Sequence, residues 1–279
     1  SCENQFITEV SSDLQSLTSA PDLKENSQRP FYIISHRCND KEDISLSIEN
    51  GTNAIECDVW LDKNNIWWVN HDLFKTTLLS EWLKEAKVVA KIHEESFALV
   101  IFDIKTPKKL LSLKTLVNTY LPEDLNVIYS IAALGDANAF EEIAYSLNTF
   151  EGLSIDFENS PKKVANFLNT IEVENYWYGN GITAALPDTE TLRNSLKQAA
   201  ILRDEELGIK KTYTWTLEKK STMEDYILNQ SVDGFIINAG AFWGRDFSEN
   251  AIEVLLEHSD YIRKAKRSDN AFQRFENND

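Results

Sequence analysis

A chain of 279 residues is long enough for one closed α/β barrel or two ordinary domains, and too long for a small disulfide-stapled scaffold. Hydrophobic content of 42% and charged content of 26% exclude wholesale disorder, and no apolar run approaches the ~18 residues of a membrane-spanning helix. With 28 Lys and Arg against 45 Asp and Glu the net charge is −17, which repels phosphate backbones and argues against a nucleic-acid partner.

Residues 1–29 are polar, open Ser1-Cys2-Glu3-Asn4, and read as a tether ahead of one folded unit over 30–279. Cys2 stands where a lipidated cysteine remains after cleavage of a bacterial lipoprotein signal, although a trimmed chain opens the same way. From Phe31 onward, short apolar or β-branched runs alternate with longer amphipathic segments. The runs are 31–36, 53–59, 66–71, 97–105, 126–131, 152–157, 176–182, 211–217 and 232–238. Helices are expected at 41–50, 76–93, 107–120, 137–148, 161–170, 188–206, 221–229 and 248–263. Start signals support three of them: Thr106-Pro107, Ser160-Pro161, and a capping box over Ser221-Thr222-Met223-Glu224. If 66–71 is an extension of the second strand, eight strand-helix units remain. The continuous apolar runs suit strands buried on both faces, and the pattern predicts a single-domain (β/α)8 TIM barrel, with a doubly wound sheet as the alternative.

Such a barrel carries its chemistry at the C-terminal strand ends. Those ends supply His36, Glu56, Asp58, His71, Asp72, Asp103, Lys105, Asp156, Trp215 and Asn238. Glu56 and Asp58 are two apart and so share one strand face, with Cys57 on the other. Three carboxylates converging with Asp103 repel one another unless a cation lies between them, and oxygen-only ligation suits Mg2+ or Ca2+. A salt-bridge network through Lys105 and Arg37 is the competing explanation. Of four histidines, His93 and His258 fall in helical stretches and are expected to face solvent, whereas His36 and His71 end strands and suit an acid-base pair. Cys38 and Cys57 read as small buried hydrophobes.

The segments SHRCN, NAIECDV, WWVNHD and VIFDIK resemble the glycerophosphodiesterase-like barrels. NYWYGNGI, the stretch 211–238 and the closing SDNAF resemble, more specifically, phospholipases D of the sphingomyelinase D type, known as venom and bacterial toxins. The resemblance implies that Glu56, Asp58 and Asp103 hold Mg2+ and that His36 and His71 are the catalytic pair. It further implies that Lys105 and Asn238 contact phosphate or orient the site, while Tyr213 and Trp215 line the headgroup pocket. Tyr176, Trp177 and Tyr178 are expected to add rings for a choline-like cation. The implied reaction releases the headgroup alcohol, choline foremost, from sphingomyelin or lysophosphatidylcholine at a membrane surface and leaves a cyclic phosphate.

The chain departs from that pattern in three places. The stretch after His71 has no cysteine, so the disulfide-bearing loop of the venom enzymes is missing; the Asp-Asn-Pro-Trp tail is Asp269-Asn270-Ala271-Phe272; and the opening is Ser35-His36-Arg37. Two other functions compete: a glycerophosphodiester phosphodiesterase using water, and a catalytically silent barrel binding choline lipids. Ala241-Phe242-Trp243-Gly244 puts two rings on a rim loop, to cover the barrel edge or to dip into lipid. A secreted or extracytoplasmic monomer is the expected state.

Overall fold

The computed structural model describes residues 28–72 and 75–275. Cys2 and nearly all of the expected tether lie outside the described residues.

The first strand, β1 (Arg29–Ser35), is followed by α1 (Lys41–Glu49) and β2 (Ala54–Leu61). Two short strands, β3 (Trp67–Val69) and β4 (Thr77–Leu78), precede α2 (Leu79–Ile92). Next come β5 (Leu99–Ile104), α3 (Leu110–Tyr120), β6 (Asn126–Ile131) and two 3-10 turns at Leu134–Glu142 and Ala144–Ser146. Then follow β7 (Glu151–Ile155), α4 (Pro161–Thr170), β8 (Tyr176–Gly181), α5 (Glu190–Asp204) and β9 (Lys211–Leu217). The chain finishes with α6 (Lys220–Leu228), β10 (Gly234–Ile237), α7 (Ser248–Glu257) and β11 (Ile262–Lys264).

Eight of these strands run parallel in the order β1, β2, β5, β6, β7, β8, β9, β10. The sheet closes because β1 pairs both ways: Tyr32 lies opposite Gly234 and Ile34 opposite Ala54. β3 folds back antiparallel on the end of β2, so 66–71 is a hairpin extension and not a ninth barrel strand. Alternation along each strand builds two apolar layers. Tyr32, Ile34, Ile101, Ile128, Trp177 and Ile236 fill the barrel, while Ile33, Val100, Phe102 and Tyr178 pack outward against the helices. Burial on both faces is why these strands are apolar throughout.

Three local expectations fail for physical reasons. The segment expected as a helix at 137–148 forms 3-10 turns, because its buried residues Ala137, Phe140 and Ile143 recur every three positions, the period of that helix. α3 begins at Leu110 and not at Pro107, since Lys109 just before it takes a left-handed φ of 55°. Ser221 falls inside the first turn of α6, whose N-cap is Lys219, so no capping box forms there. Ser160-Pro161 behaves as expected: Pro161 opens α4 and Ser160 Oγ accepts the Lys163 N–H.

The tail seals the N-terminal end of the barrel. Asn126 Oδ1 accepts the Ala271 N–H at 2.9 Å, and Trp177 Nε1 donates to the Ala271 carbonyl at 2.8 Å. Phe272 is buried against Gly152, where a Cβ would lie 2.2 Å from its ring. Only glycine admits that approach. Ala271-Phe272 therefore plugs the floor without Pro or Trp.

Candidate active site

Glu56 and Asp58 project from one face of β2, and strand register sets Asp103 of β5 directly beside Asp58. One oxygen from each of the three carboxylates lies within 4.8 Å of the others. Lys105, two residues beyond Asp103, places Nζ 2.9 Å from Asp58 Oδ1 and 2.5 Å from Asp103 Oδ2. The ion-pair explanation thus holds for two of the three carboxylates. Arg37 does not extend it: its guanidinium stands over the Phe242 ring at 4.7 Å, and only its backbone N–H reaches Glu56 Oε2, at 2.8 Å.

Charge in this cluster is left unbalanced. Burial, reinforced by Asp58 and Asp103, pushes the Glu56 carboxyl well above its usual range. Burial also raises Asp103, against Lys105. At Asp58 burial is outweighed by Lys105 and by the Asn39 amide, which donates to Oδ2 at 2.8 Å, so its pKa falls. Glu56 Oε1 is buried without a hydrogen-bond partner, a costly state for a carboxylate oxygen. An all-oxygen donor set with one orphaned acceptor fits a hard divalent cation. Asp156, after β7, is pushed up to about 7 by burial and then by Asp103.

His36 follows β1, and its Nδ1 lies 2.9 Å from Asn238 Oδ1, just past β10. The Asn238 amide donates in turn to Glu218 Oε1 at 3.2 Å, and Arg245 grips Glu218 at 2.8 Å. With its amide turned this way, Asn238 accepts from Nδ1–H and leaves Nε2 of His36 as a free acceptor. Burial lowers the His36 pKa to about 4, against the Asn238 bond. At neutral pH the ring is uncharged. His71 holds Nδ1 at 2.9 Å from Asp72 Oδ1, so its Nε2 is likewise the nitrogen left over.

The aromatic wall is smaller than expected. Trp215 is half-buried at the rim, its Nε1 donating to the Asp156 carbonyl at 3.0 Å. Tyr213, one step below, is fully buried and bonds Ser154 at 3.1 Å, so it supports the pocket from beneath and does not line an open mouth. Tyr176 and Tyr178 face the helices, and Trp177 belongs to the floor around the tail; none can meet a headgroup. Rings that do edge the mouth are Phe157, 63% exposed and 6.1 Å from Trp215, and the stacked pair Phe242 and Trp243. Phe242 covers His36 at 5.4 Å, while Trp243 is 86% exposed.

Of the other histidines, His93 is the C-cap of α2, and His258 is less open than expected because Nε2 meets Glu224 at 3.1 Å. Cys38 and Cys57 are buried free thiols. Sequence reasoning missed Asn39, Glu218 and Arg245. Asn39 and Glu218 fall four and one residues beyond the ends of β1 and β9, a signal available in the sequence; Arg245 sits on the rim loop and carried none.

Three comparisons place this geometry. The family model described as dermonecrotic toxin SPH matches residues 26–272. The dermonecrotic toxin Hl-PLD1 of Hemiscorpius lepturus is 25% identical over 91% of this chain and 87% of its own. The dermonecrotic toxin SPH of Ixodes scapularis is 28% identical over 77% of this chain and 69% of its own. Among solved structures, an Oleispira antarctica phosphodiesterase in complex with sn-glycerol-3-phosphate superposes with a TM-score of 0.54 at 14% identity, covering 82% of this chain and 97% of that one. A Thermotoga maritima glycerophosphodiester phosphodiesterase gives 0.50 at 18%, over 81% and 98%. These structural likenesses bear on the fold alone, a closed (β/α)8 barrel. The family model spans almost every described residue, and the chain belongs to the dermonecrotic toxin SPH family.

Proposed function

We infer that this protein is a phospholipase D of the sphingomyelinase D type, which expels the headgroup alcohol from sphingomyelin or lysophosphatidylcholine and leaves a cyclic phosphate. The observation that carries the reading is the under-compensated carboxylate cluster set beside a half-buried, neutral His36 in a chain of this family. Glu56, Asp58 and Asp103 would hold Mg2+, which supplies Lewis-acid polarisation of a phosphoryl oxygen. Lys105, already spanning Asp58 and Asp103, is placed to meet phosphate charge at the same point.

The substrate's free hydroxyl forms the new O–P bond as the bond from phosphorus to the headgroup oxygen breaks. Nε2 of His36 accepts the hydroxyl proton, held in aim by Asn238 and Glu218. His71, which must enter this step protonated on both ring nitrogens with Nδ1–H held by Asp72, gives its Nε2 proton to the departing alcohol, and transfer of the proton from His36 back to His71 through solvent resets the pair. An intramolecular hydroxyl held against phosphorus can exceed the effective concentration of bulk water by orders of magnitude, about 10⁵ M or more in well-oriented cases. Trp215 offers a ring face to the quaternary ammonium.

Exposed Phe157 and Trp243 flank the mouth and suit contact with a lipid surface. A net charge of −17 favours zwitterionic choline lipids over anionic ones. No described helix is long and apolar enough to cross a membrane, and a secreted or extracytoplasmic monomer acting on lipid from outside fits the reading. Phosphorus NMR during turnover tests it. Cyclic phosphate from the first turnovers is expected; a linear phosphomonoester with no cyclic precursor would make the protein a hydrolase, and no release at all a lipid-binding barrel.

A further inference from the structure

At the opposite end of the barrel a cavity of about 590 Å³ opens beneath β9, between the end of α5, the start of β1 and the C-terminal tail. Five cations line it: Arg29, Arg203, Lys210, Lys211 and Arg274. Three carboxylates oppose them, Asp204, Glu206 and Asp233, which leaves a local excess of two positive charges on a protein whose net charge is −17. The carboxylates are already committed. Asp233 gives Oδ1 to Arg29 and Oδ2 to Arg203, each at 2.6 Å, and Oδ2 also accepts the Thr212 N–H. Asp204 pairs with Arg203 at 2.8 Å, and Glu206 with Arg274.

The two lysines are what remains. Lys211 is 2% exposed, yet its ammonium has only one partner among the described residues, the Gln273 carbonyl at 3.2 Å. Lys210 has no side-chain partner among the described residues. A buried ammonium with two unused donors, beside two arginines, is an expensive arrangement unless an anion completes it. Burial, with Arg29 and Arg203 adding to it, lowers the Lys211 pKa to about 8 against Asp233, the direction expected of a cation lacking its counter-charge. Tyr261 and Phe275 supply ring walls beside this charged end, so the space suits a dianionic head on an organic body.

We propose that this floor pocket binds a phosphomonoester, its phosphoryl oxygens accepting from Lys211 and Lys210 and its organic part lying against Tyr261 and Phe275. The site is separate from the carboxylate cluster, since Lys211 begins β9 while the rim lies past its far end.

Lysine side-chain NMR on the full chain, stripped of metal by chelator so that the rim holds no divalent ion, tests the proposal. The Lys211 signal is assigned by its loss in Lys211→Met, or by its loss in Lys211→Arg should the first variant fold poorly. Glycerol 3-phosphate should raise the Lys211 titration midpoint by about one unit, equivalent to roughly tenfold tighter binding to the charged amine. Lys210→Ser should weaken that effect at least about fivefold, as loss of one charge-assisted contact does, while headgroup release by the metal-loaded enzyme stays unchanged. A midpoint that does not move, or that moves equally with chloride at matched ionic strength, overturns the proposal. If inorganic phosphate acts as tightly as glycerol 3-phosphate, the organic walls contribute nothing and the assignment to an ester falls.

Discussion

Two buried charge clusters sit at opposite ends of the same strands. Around Asp233 each carboxylate oxygen has an arginine at 2.6 Å, and one takes a backbone N–H as well. Around Glu56 three carboxylates share a single lysine, and one buried oxygen has no partner. The electrostatics follow: three cations hold Asp233 at about 2 despite burial, whereas Glu56 is pushed up. A saturated carboxylate of this kind holds structure together, and a frustrated cluster stores a demand that a cation can meet.

The largest effect should come from breaking the saturated pairing. Asp233→Asn leaves Arg29 without its carboxylate and Arg203 with only the exposed Asp204, and should cost about 3–5 kcal/mol in denaturant unfolding. Its folded fraction should retain wild-type kcat/KM. Glu56→Gln should do the reverse. Turnover should fall about a thousandfold, the equivalent of roughly 4 kcal/mol of transition-state stabilisation, while Tm of the metal-free protein holds or rises because repulsion is relieved. A fall in Tm, or near-normal turnover, would show that the rim cluster is structural too.

His36→Ala should lower kcat at least about 100-fold with the fold intact, and the double variant with His71→Ala should lose far less than the product of the singles. Acid unfolding separates the clusters by sign. Asp233 titrates lower in the folded than in the unfolded chain, so its contribution is present above the unfolded value near 4 and is lost as pH falls through about 2. That contribution is roughly 2–3 kcal/mol. Glu56 titrates higher when folded, so in metal-free protein its cost appears as pH rises above the unfolded value of about 4.3. Asp233→Asn should therefore flatten the acid limb, and Glu56→Gln should remove a penalty at neutral pH. The smallest effect is expected of Glu218→Gln. With the Asn238 amide less firmly oriented, kcat should drop only about three- to tenfold, the range of one neutral hydrogen bond, with KM unchanged.

Much of the barrel could be read in advance because each parallel strand is apolar on both faces and each helix on one. The rim was legible where polar side chains break such runs, as at Glu56, Asp58 and Asp103. Local helix starts were less so: Pro107 and Ser221 are good signals, yet the helices start after Lys109, whose N–H is held by distant Glu142, and after Lys219. Which ring of YWY faces inward depends on barrel register, and a one-residue choice sends Tyr176 and Tyr178 to the helices and Trp177 to the floor. Arg245 could not be found at all, since its partner Glu218 is 27 residues away and only the fold brings them together.

The seal at Gly152 and Phe272 ties the middle of the barrel sequence, at the start of β7, to the segment that follows β11. During synthesis β1 leaves the ribosome about two hundred residues before its partners β10 and β11 and before Phe272. For that whole interval β1 presents an unpaired edge and the barrel has an open base, a state of high contact order that invites chaperones and misassembly. A chain cut just ahead of Ala271-Phe272 would keep every strand of the sheet and lose its seal, so it should fold in lower yield than the uncut protein.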